Sequence, residues 1–380
     1  MWKKLISNQR ELAKPMTVLL ESYVTDHIEG RRKSPLVRGV LHGLSEIFKF
    51  GVKMRNFAFD RHLIKETKVD IPVISIGNII AGGTGKTALI QKLGKDLSAN
   101  KRVSVLLRGY RSEIEKLGGS LHLIEKSRIT PSVCGDEAYL LWKLLPQLTF
   151  FVGKDRRLNA QRAAYHEADV ILLDDGMQYR RLHRDLEIVM LHADDLYGKG
   201  FYLPRGYLRD SPERLAKADY VFINHVQDQK HFEEIEKEVK RKTSAPLIGV
   251  QMVPQSIEGK KGETWEDVQG KRVAVFCGLG KPESFFKTVK KMGLDVAETL
   301  VLPDHIPPTR RQLVELGILA EEKGCELILC SEKDWVKLPD VSSLSLPLAY
   351  VKASLDVTMH QDHYDQLLAD ITNLTSEAHR

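Results

Sequence analysis

At 380 residues the chain is long enough for two domains of roughly 100 to 200 residues each. With 42% hydrophobic and 28% charged residues and no low-complexity tract or internal repeat, it is neither a disordered nor a fibrous protein. Four scattered cysteines, Cys134, Cys277, Cys325 and Cys330, form no C-x-x-C pair, which excludes a disulfide framework or zinc knuckle and fits a reducing cytoplasmic compartment; the net charge of +6 sits wholly in residues 1–66, with 13 basic against 7 acidic residues.

Residues 1–66 hold no run of 18 or more apolar residues and lack the pattern of a signal peptide, so this segment is expected to stay on the cytoplasmic side without spanning a bilayer. Ser34 and Pro35 suit an N-cap and first helical position. After them Val37, Val40, Leu41, Leu44, Ile47, Phe48 and Val52 recur at helical spacings, among Arg38, Lys49, Lys53 and Arg55. Such a basic amphipathic helix, with Phe50 and Phe57, suits the interface of an anionic leaflet. It equally suits a helix that packs on its own domain with solvated lysines.

From residue 70 short apolar strands alternate with helical stretches. Strands are expected at Pro72–Ile76, Val103–Leu107, Thr149–Val152, Val170–Leu173, Glu187–Leu191 and Tyr220–Ile223. This alternation implies an α/β fold with a mostly parallel sheet and helices on both faces. The less apolar residues 227–265 read as a linker, ending in the extended stretch S-A-P-L-I-G-V-Q-M-V-P-Q-S-I-E-G-K-K-G-E. Residues 266–380 repeat the alternation on a smaller scale, with strands near Val273–Phe276 and Leu327–Leu329. The expected organisation is therefore a basic extension and helix over 1–66, a core over 67–226, a linker and a smaller C-terminal α/β domain.

Residues 78–90, N-I-I-A-G-G-T-G-K-T-A-L-I, lie between the first strand and a helix with Leu89, Ile90, Leu93 and Leu97 on one face. Strand, glycine loop and helix form the context of a phosphate loop, although Ile80 stands where the usual fingerprint has its first glycine. The loop residues Ile80, Ala81, Gly82, Gly83, Thr84 and Gly85 would turn backbone amides toward phosphate oxygens. Lys86 would reach the terminal phosphates and Thr87 would offer its hydroxyl to Mg²⁺. The missing glycine shapes the entry of the loop and leaves its cradle in place. A chance glycine turn accounts for G-G-T-G but not for G-K-T in this setting.

A metal-holding carboxylate is expected at the end of a neighbouring strand, and V-I-L-L-D-D-G-M-Q supplies Asp174 and Asp175. A plain Asp-Gly turn explains Asp175 and Gly176 but not the second carboxylate. The stretch Asn224-His225-Val226-Gln227 lacks the lysine of the guanine-reading N-K-x-D pattern, so ATP is the expected nucleotide. Ala81 stands where partition-type ATPases carry their signature lysine. A kinase further needs a base and cations. Asp136 and Glu137 in G-D-E, or Asp304 and His305 in L-P-D-H-I-P-P, are candidates, against the alternatives of a helix N-cap and a solvated loop histidine. Arg108, Arg156, Arg157, Arg205 and Arg209 are cationic candidates or solvated surface residues.

Taken together, the ordered set G-N-x-x-x-G-G-T-G-K-T, R-G-Y, G-D-E, G-K-D-R, D-D-G-x-Q, R-D-L-E-I, G-x-G-x-x-L-P-x-G-x-L-R, D-H and S-E-K-D-W-V-K-L resembles the tetraacyldisaccharide 4'-kinase family of lipid A biosynthesis, from about residue 40 to 340. That family shares the missing first glycine. The resemblance implies a P-loop NTPase-like core and transfer of the γ-phosphate of ATP, with Mg²⁺, to the 4' hydroxyl of a tetraacyldisaccharide 1-phosphate. It implies the cytoplasmic face of the bacterial inner membrane as the place of work. The same resemblance makes Asp136 the general base paired with His305, sets Arg156 and Arg209 near the phosphates and Tyr110 near the nucleotide, and makes Asp174 and Asp175 the Walker B carboxylates. Neither nucleic acid nor an obligate protein partner is expected. The chain departs from the family pattern at Ala138, Tyr179, Ile306 and Tyr207–Asp210, where Asp210 replaces a glutamate, and the segment before Ser34 has no counterpart. Two rival readings are a membrane-recruited ATP switch without an acceptor and a small-molecule kinase on the same core.

Overall fold

A computed structural model of the chain describes residues 16–260, 262–279, 282–303, 306–338 and 344–378. Two compact units divide these residues: a small one made of the chain up to Lys65 with Ile79–Gly82 and Asp194–Arg214, and a large one made of the rest.

The large unit is built on one sheet. Its strands are β1 (Val73–Gly77), β2 (Val103–Leu107), β3 (Gly119–Ser120), β4 (Thr149–Val152), β5 (Val170–Asp174), β6 (Leu186–His192), β7 (Tyr220–Asn224), β8 (Leu247–Gly259), β9 (Arg272–Cys277), β10 (Asp295–Val301), β11 (Leu327–Ser331) and β12 (Leu348–Met359). Their order is β10-β9-β11-β12-β8-β7-β6-β1-β5-β2-β4-β3. Pairing is parallel except at β8–β12 and β3–β4. Strands β1, β2, β5 and β7 are buried along their whole length, so both faces carry apolar side chains and both are covered by helices. Alternation along β1 divides the layers. Ile74 and Ile76 pack with Leu89, Leu93, Leu141 and Leu367 on one face, and Val73 packs with Phe151, Ala160 and Ala163 on the other.

Residues 227–265, expected as a linker, are instead a helix (Gln229–Val239) and the longest strand of the sheet. β8 runs parallel to β7 at its start and antiparallel to β12 along most of its length, so it is an internal strand that joins the two parallel halves. Pro254 lies within this strand. It sits where the pairing shifts register, at Lys352/Ala353, the kind of irregularity at which a sheet tolerates a proline. Nor is 266–380 self-contained. Its last helix, Gln361–Ala378, returns to the core, where Tyr364 Oη donates to Asp96 Oδ2, Tyr220 Oη donates to Asp370 Oδ2 and Lys101 Nζ donates to Thr375 Oγ1, each at 2.6 Å.

In the small unit the expected helix spans Pro35–Asp60 behind an N-cap at Ser34. Its inward face is Leu41, Ser45, Val52, Asn56 and Phe59. Ser45 Oγ donates to the Tyr202 carbonyl at 2.8 Å. The fully buried Asp210 accepts from Arg55 Nη2 at 2.7 Å and from Asn56 Nδ2 at 2.8 Å. Leu36, Val40, Leu44, Ile47, Phe50, Met54 and Phe57 are exposed. At about 100° per residue these seven form a stripe roughly 140° wide, opposite the buried face and free of charge. Among the described residues no helix is long and apolar enough to cross a membrane.

Candidate active site

The glycine loop follows β1 and runs into the helix Lys86–Leu97, as a phosphate site requires. Gly85, the N-cap of that helix, has φ +104°, and a Cβ there would stand 2.5 Å from Asn224 Nδ2, so only glycine fits. Buried polar side chains brace the loop from beneath. Asn78 Nδ2 donates to Thr84 Oγ1 at 3.1 Å, Asn224 Nδ2 donates to the Thr84 carbonyl at 2.9 Å, and Gln178 Nε2 donates to the Asn78 carbonyl at 2.8 Å. The Thr84 side chain is therefore engaged inside the loop. Ile80 is buried, and the Ala81 N–H is engaged by the Tyr207 carbonyl at 2.6 Å, which corrects the expectation that Ala81 presents its amide to phosphate. The open part of the cradle is Gly82 and Gly83, around which a Cβ would meet nothing within 4 Å.

Next to β1 in the sheet, β5 ends at Asp174, level with Ile76. Asp175, at φ +51°, turns the chain and pairs with Lys86, Nζ to Oδ1 at 3.5 Å. Burial is the main reason that the Asp174 carboxyl is pushed up to about 7; the nearby Glu137 and Asp175 add to the rise, while Lys86 and Arg156 oppose it. Arg156 opens the helix Arg156–Tyr165 and is itself buried. Its guanidinium lies over the Tyr179 ring at 4.8 Å, and Nε has no hydrogen-bond partner among the described residues. Tyr179, at a position where the family pattern has histidine, also donates to Asp155 Oδ1 at 3.0 Å and accepts from the Arg156 backbone N–H at 3.2 Å. The substitution thus furnishes the floor under Arg156.

Gly135, not Asp136, is the N-cap of the helix Asp136–Leu144, so the reading of Asp136 as a mere cap is excluded. As the first helical residue, Asp136 has its carboxylate at the positive end of the helix dipole, and Lys337 Nζ lies 2.6 Å from its Oδ2. Gly135 and Gly109 touch: a Cβ on Gly135 would be 3.1 Å from Gly109 Cα, which brings the R-G-Y loop against the G-D-E loop. Tyr110 is 62% exposed, with the Arg108 and Arg111 guanidinium groups over its ring. Arg108 pairs with Glu115, Arg157 with Asp155, and Arg205 stacks on Phe201, so these three are used locally. Arg209 lies in the small unit, where its backbone N–H donates to the Ile79 carbonyl. Asp304 and His305 lie outside the described residues.

A family model described as tetraacyldisaccharide-1-P 4'-kinase matches residues 37–373. The tetraacyldisaccharide 4'-kinase of Chlamydia trachomatis is 39% identical over 302 residues, covering 77% of this chain and 79% of that protein. The tetraacyldisaccharide 4'-kinase of Syntrophus aciditrophicus is 33% identical over 338 residues, covering 84% and 89%. Among solved structures, that of LpxK from Aquifex aeolicus in complex with ATP is similar with a TM-score of 0.68 and 26% identity, covering 88% of this chain and 99% of that one. The chain belongs to the tetraacyldisaccharide 4'-kinase family.

Several residues that matter to the site were not singled out from the sequence of this family member. Lys337 stands in S-E-K-D-W-V-K-L, and motif membership was its only signal, whereas Glu137 and Asn78 were already visible as a carboxylate beside Asp136 and as part of the loop motif. Gln178 and Asn224 act through long-range hydrogen bonds that no spacing announces. Asp210, shorter than the family glutamate, is fully buried between Arg55 and Asn56 and fastens the helix Pro35–Asp60.

Proposed function

We propose that this chain transfers the γ-phosphate of ATP to the 4' hydroxyl of a tetraacyldisaccharide 1-phosphate, giving a lipid A precursor. The supporting observation is the convergence, in the large unit, of the glycine loop with Lys86, the carboxylates Asp174, Asp175 and Glu137, the buried Arg156, and Asp136 at a helix start. Lys86 and Arg156 face the charge of the transferring phosphoryl group. The acceptor oxygen forms its bond to the γ-phosphorus as the bond to the β–γ bridging oxygen breaks. Asp136 takes the hydroxyl proton and ADP departs. His305, by the family resemblance, pairs with Asp136.

The donor set fits Mg²⁺. Asp174, Asp175 and Glu137 gather in one place, where burial first and the two neighbouring carboxylates second raise the Asp174 carboxyl to about 7, and Thr87 stands in the first turn of the adjacent helix. Thr87, Asp174 and Asp175 would hold the ion. When bound, Mg²⁺ supplies charge neutralisation at the phosphate oxygens.

The exposed apolar stripe of the helix Pro35–Asp60 lies in the interface of an anionic leaflet, with Lys49 and Lys53 toward the headgroups, and holds the enzyme at the cytoplasmic face of the inner membrane. A lipid acceptor explains why such a stripe stays uncovered. The test is direct: γ-labelled ATP is incubated with the disaccharide precursor in detergent. Labelled lipid is the expected product; release of inorganic phosphate alone would refute the proposal.

A further inference from the structure

The site holds a lysine that no part of the transfer described above uses. Lys337 is only 3% exposed, and its Nζ stands 2.6 Å from Asp136 Oδ2. The approach lies off the hydrogen-bonding direction, for Nζ has no hydrogen-bond partner among the described residues. The contact is one of charge. Burying an ammonium costs several kcal/mol, and a buried ion pair is often no more stabilising than well-packed apolar side chains of equal size. Stability alone therefore gives no reason for this lysine to be here.

Its position is held firmly. β11 ends at Ser331, which caps the short helix Glu332–Trp335, accepting from the Asp334 N–H at 3.2 Å and donating through Oγ to Asp334 Oδ2 at 2.6 Å. The buried Asp334 also accepts from the Gly278 N–H at 3.1 Å, and the Trp335 ring packs on Tyr350 with centroids 5.0 Å apart. Lys337 follows two residues later, on a turn tied to two strands and so with little freedom to move away from Asp136. The charges around it give the reason. Asp136 precedes Glu137, which with Asp175 adds to the rise that burial imposes on the Asp174 carboxyl, and the cations Lys86 and Arg156 oppose that rise at Asp174. A further carboxylate in this company needs a cation of its own to stay charged and in place.

We infer that Lys337 is a positioning residue for the phosphoryl transfer: it holds the Asp136 carboxylate ionised and aimed at the acceptor hydroxyl. The inference rests on Asp136 being the base, and the experiment separates the two. In the full-length enzyme, Lys337→Met is expected to lower kcat about 100-fold, the scale of a misplaced general base, with the KM for ATP within about two-fold of wild type. Lys337→Arg should recover part of the loss. In the Asp136→Asn background, Lys337→Met should cost nothing further, because the two act as a unit. A purely structural lysine would instead give losses that multiply.

Wild-type kcat in Lys337→Met beside an inactive Asp136→Asn overturns the inference and leaves the base in place; so do multiplying losses. Wild-type kcat in Asp136→Asn overturns the base assignment, and the inference with it. Should Lys337→Met fail to bind a fluorescent ATP analogue, the cycle is run with Lys337→Arg, whose partial loss must likewise vanish in the Asp136→Asn background.

Discussion

The two units of the molecule use apolar residues in opposite ways. In the large unit they are inside: β1, β2, β5 and β7 are wholly buried, and the charged groups gather where those strands and the following helices begin and end. In the small unit the helix Pro35–Asp60 holds itself down through Leu41, Val52, Phe59 and the polar pair Asn56 and Asp210, and turns seven apolar side chains to the outside. The contrast matches the division of labour proposed above. Chemistry on phosphate needs fixed charges in a water-poor place, whereas reaching a lipid needs apolar area left uncovered.

The comparison can be broken first where the effects are largest. Asp136→Ala should lower kcat by about 10³-fold, within the range for a lost general base, with ATP affinity little changed in equilibrium binding. Lys86→Ala should lower kcat/KM by about 10² to 10³ and also weaken ATP binding, since it removes a charge that faces the phosphates in both ground and transition states. Neither change should alter vesicle binding.

Asp210→Ala should act in the other unit. Removing one partner of a buried charge pair costs about 3–5 kcal/mol, read as a lower midpoint in urea. Next in size, Ile47→Glu with Phe50→Glu should weaken partitioning onto anionic vesicles at least 10-fold, given about 1.5–3 kcal/mol for each large apolar side chain withdrawn from a nonpolar medium. Binding of ATP in solution should not change. Loss of ATP binding in this double variant, with vesicle affinity intact, would abolish the proposed division.

The smallest effect sharpens the electrostatic half. Burial raises the folded-state carboxyl of Asp174 to about 7 from an ordinary value near 4. The folded state therefore holds this proton more tightly than the unfolded state, and the stability drawn from the group declines as pH rises from about 4 to about 7. Asp174→Asn removes that decline. Without ligand the variant should be more stable than wild type at pH 8, with the gain shrinking toward pH 5, as thermal melting at both pH values will show. Its kinase activity should be lost.

Much of this was legible in the chain. The six strands from residue 70 to 224 announced themselves as short apolar runs between turn signals, and they form within a residue or so of the expected limits. Buried parallel strands carry that signal strongly because both faces are apolar. The reading failed at β8, where full burial is confined to the first four residues and Ile257, a proline interrupts the run, and partnership with β12 lies about 100 residues away. Pairing at such a distance leaves no local period.

By itself the sequence determined the nucleotide chemistry, because G-G-T-G-K-T and the Asp174–Asp175 pair are local devices: a loop, a helix start and a strand end, each written in consecutive residues. The tertiary structure decided which members of those devices are engaged by the protein itself. It turned Thr84 and Ala81 into braces through hydrogen bonds to Asn78, Asn224 and Tyr207, put Tyr179 under Arg156, and carried Lys337 to Asp136 from about 200 residues away. Those outcomes depend on what the rest of the chain packs against each residue, and charge, burial and hydrogen-bond partners are properties of that packing.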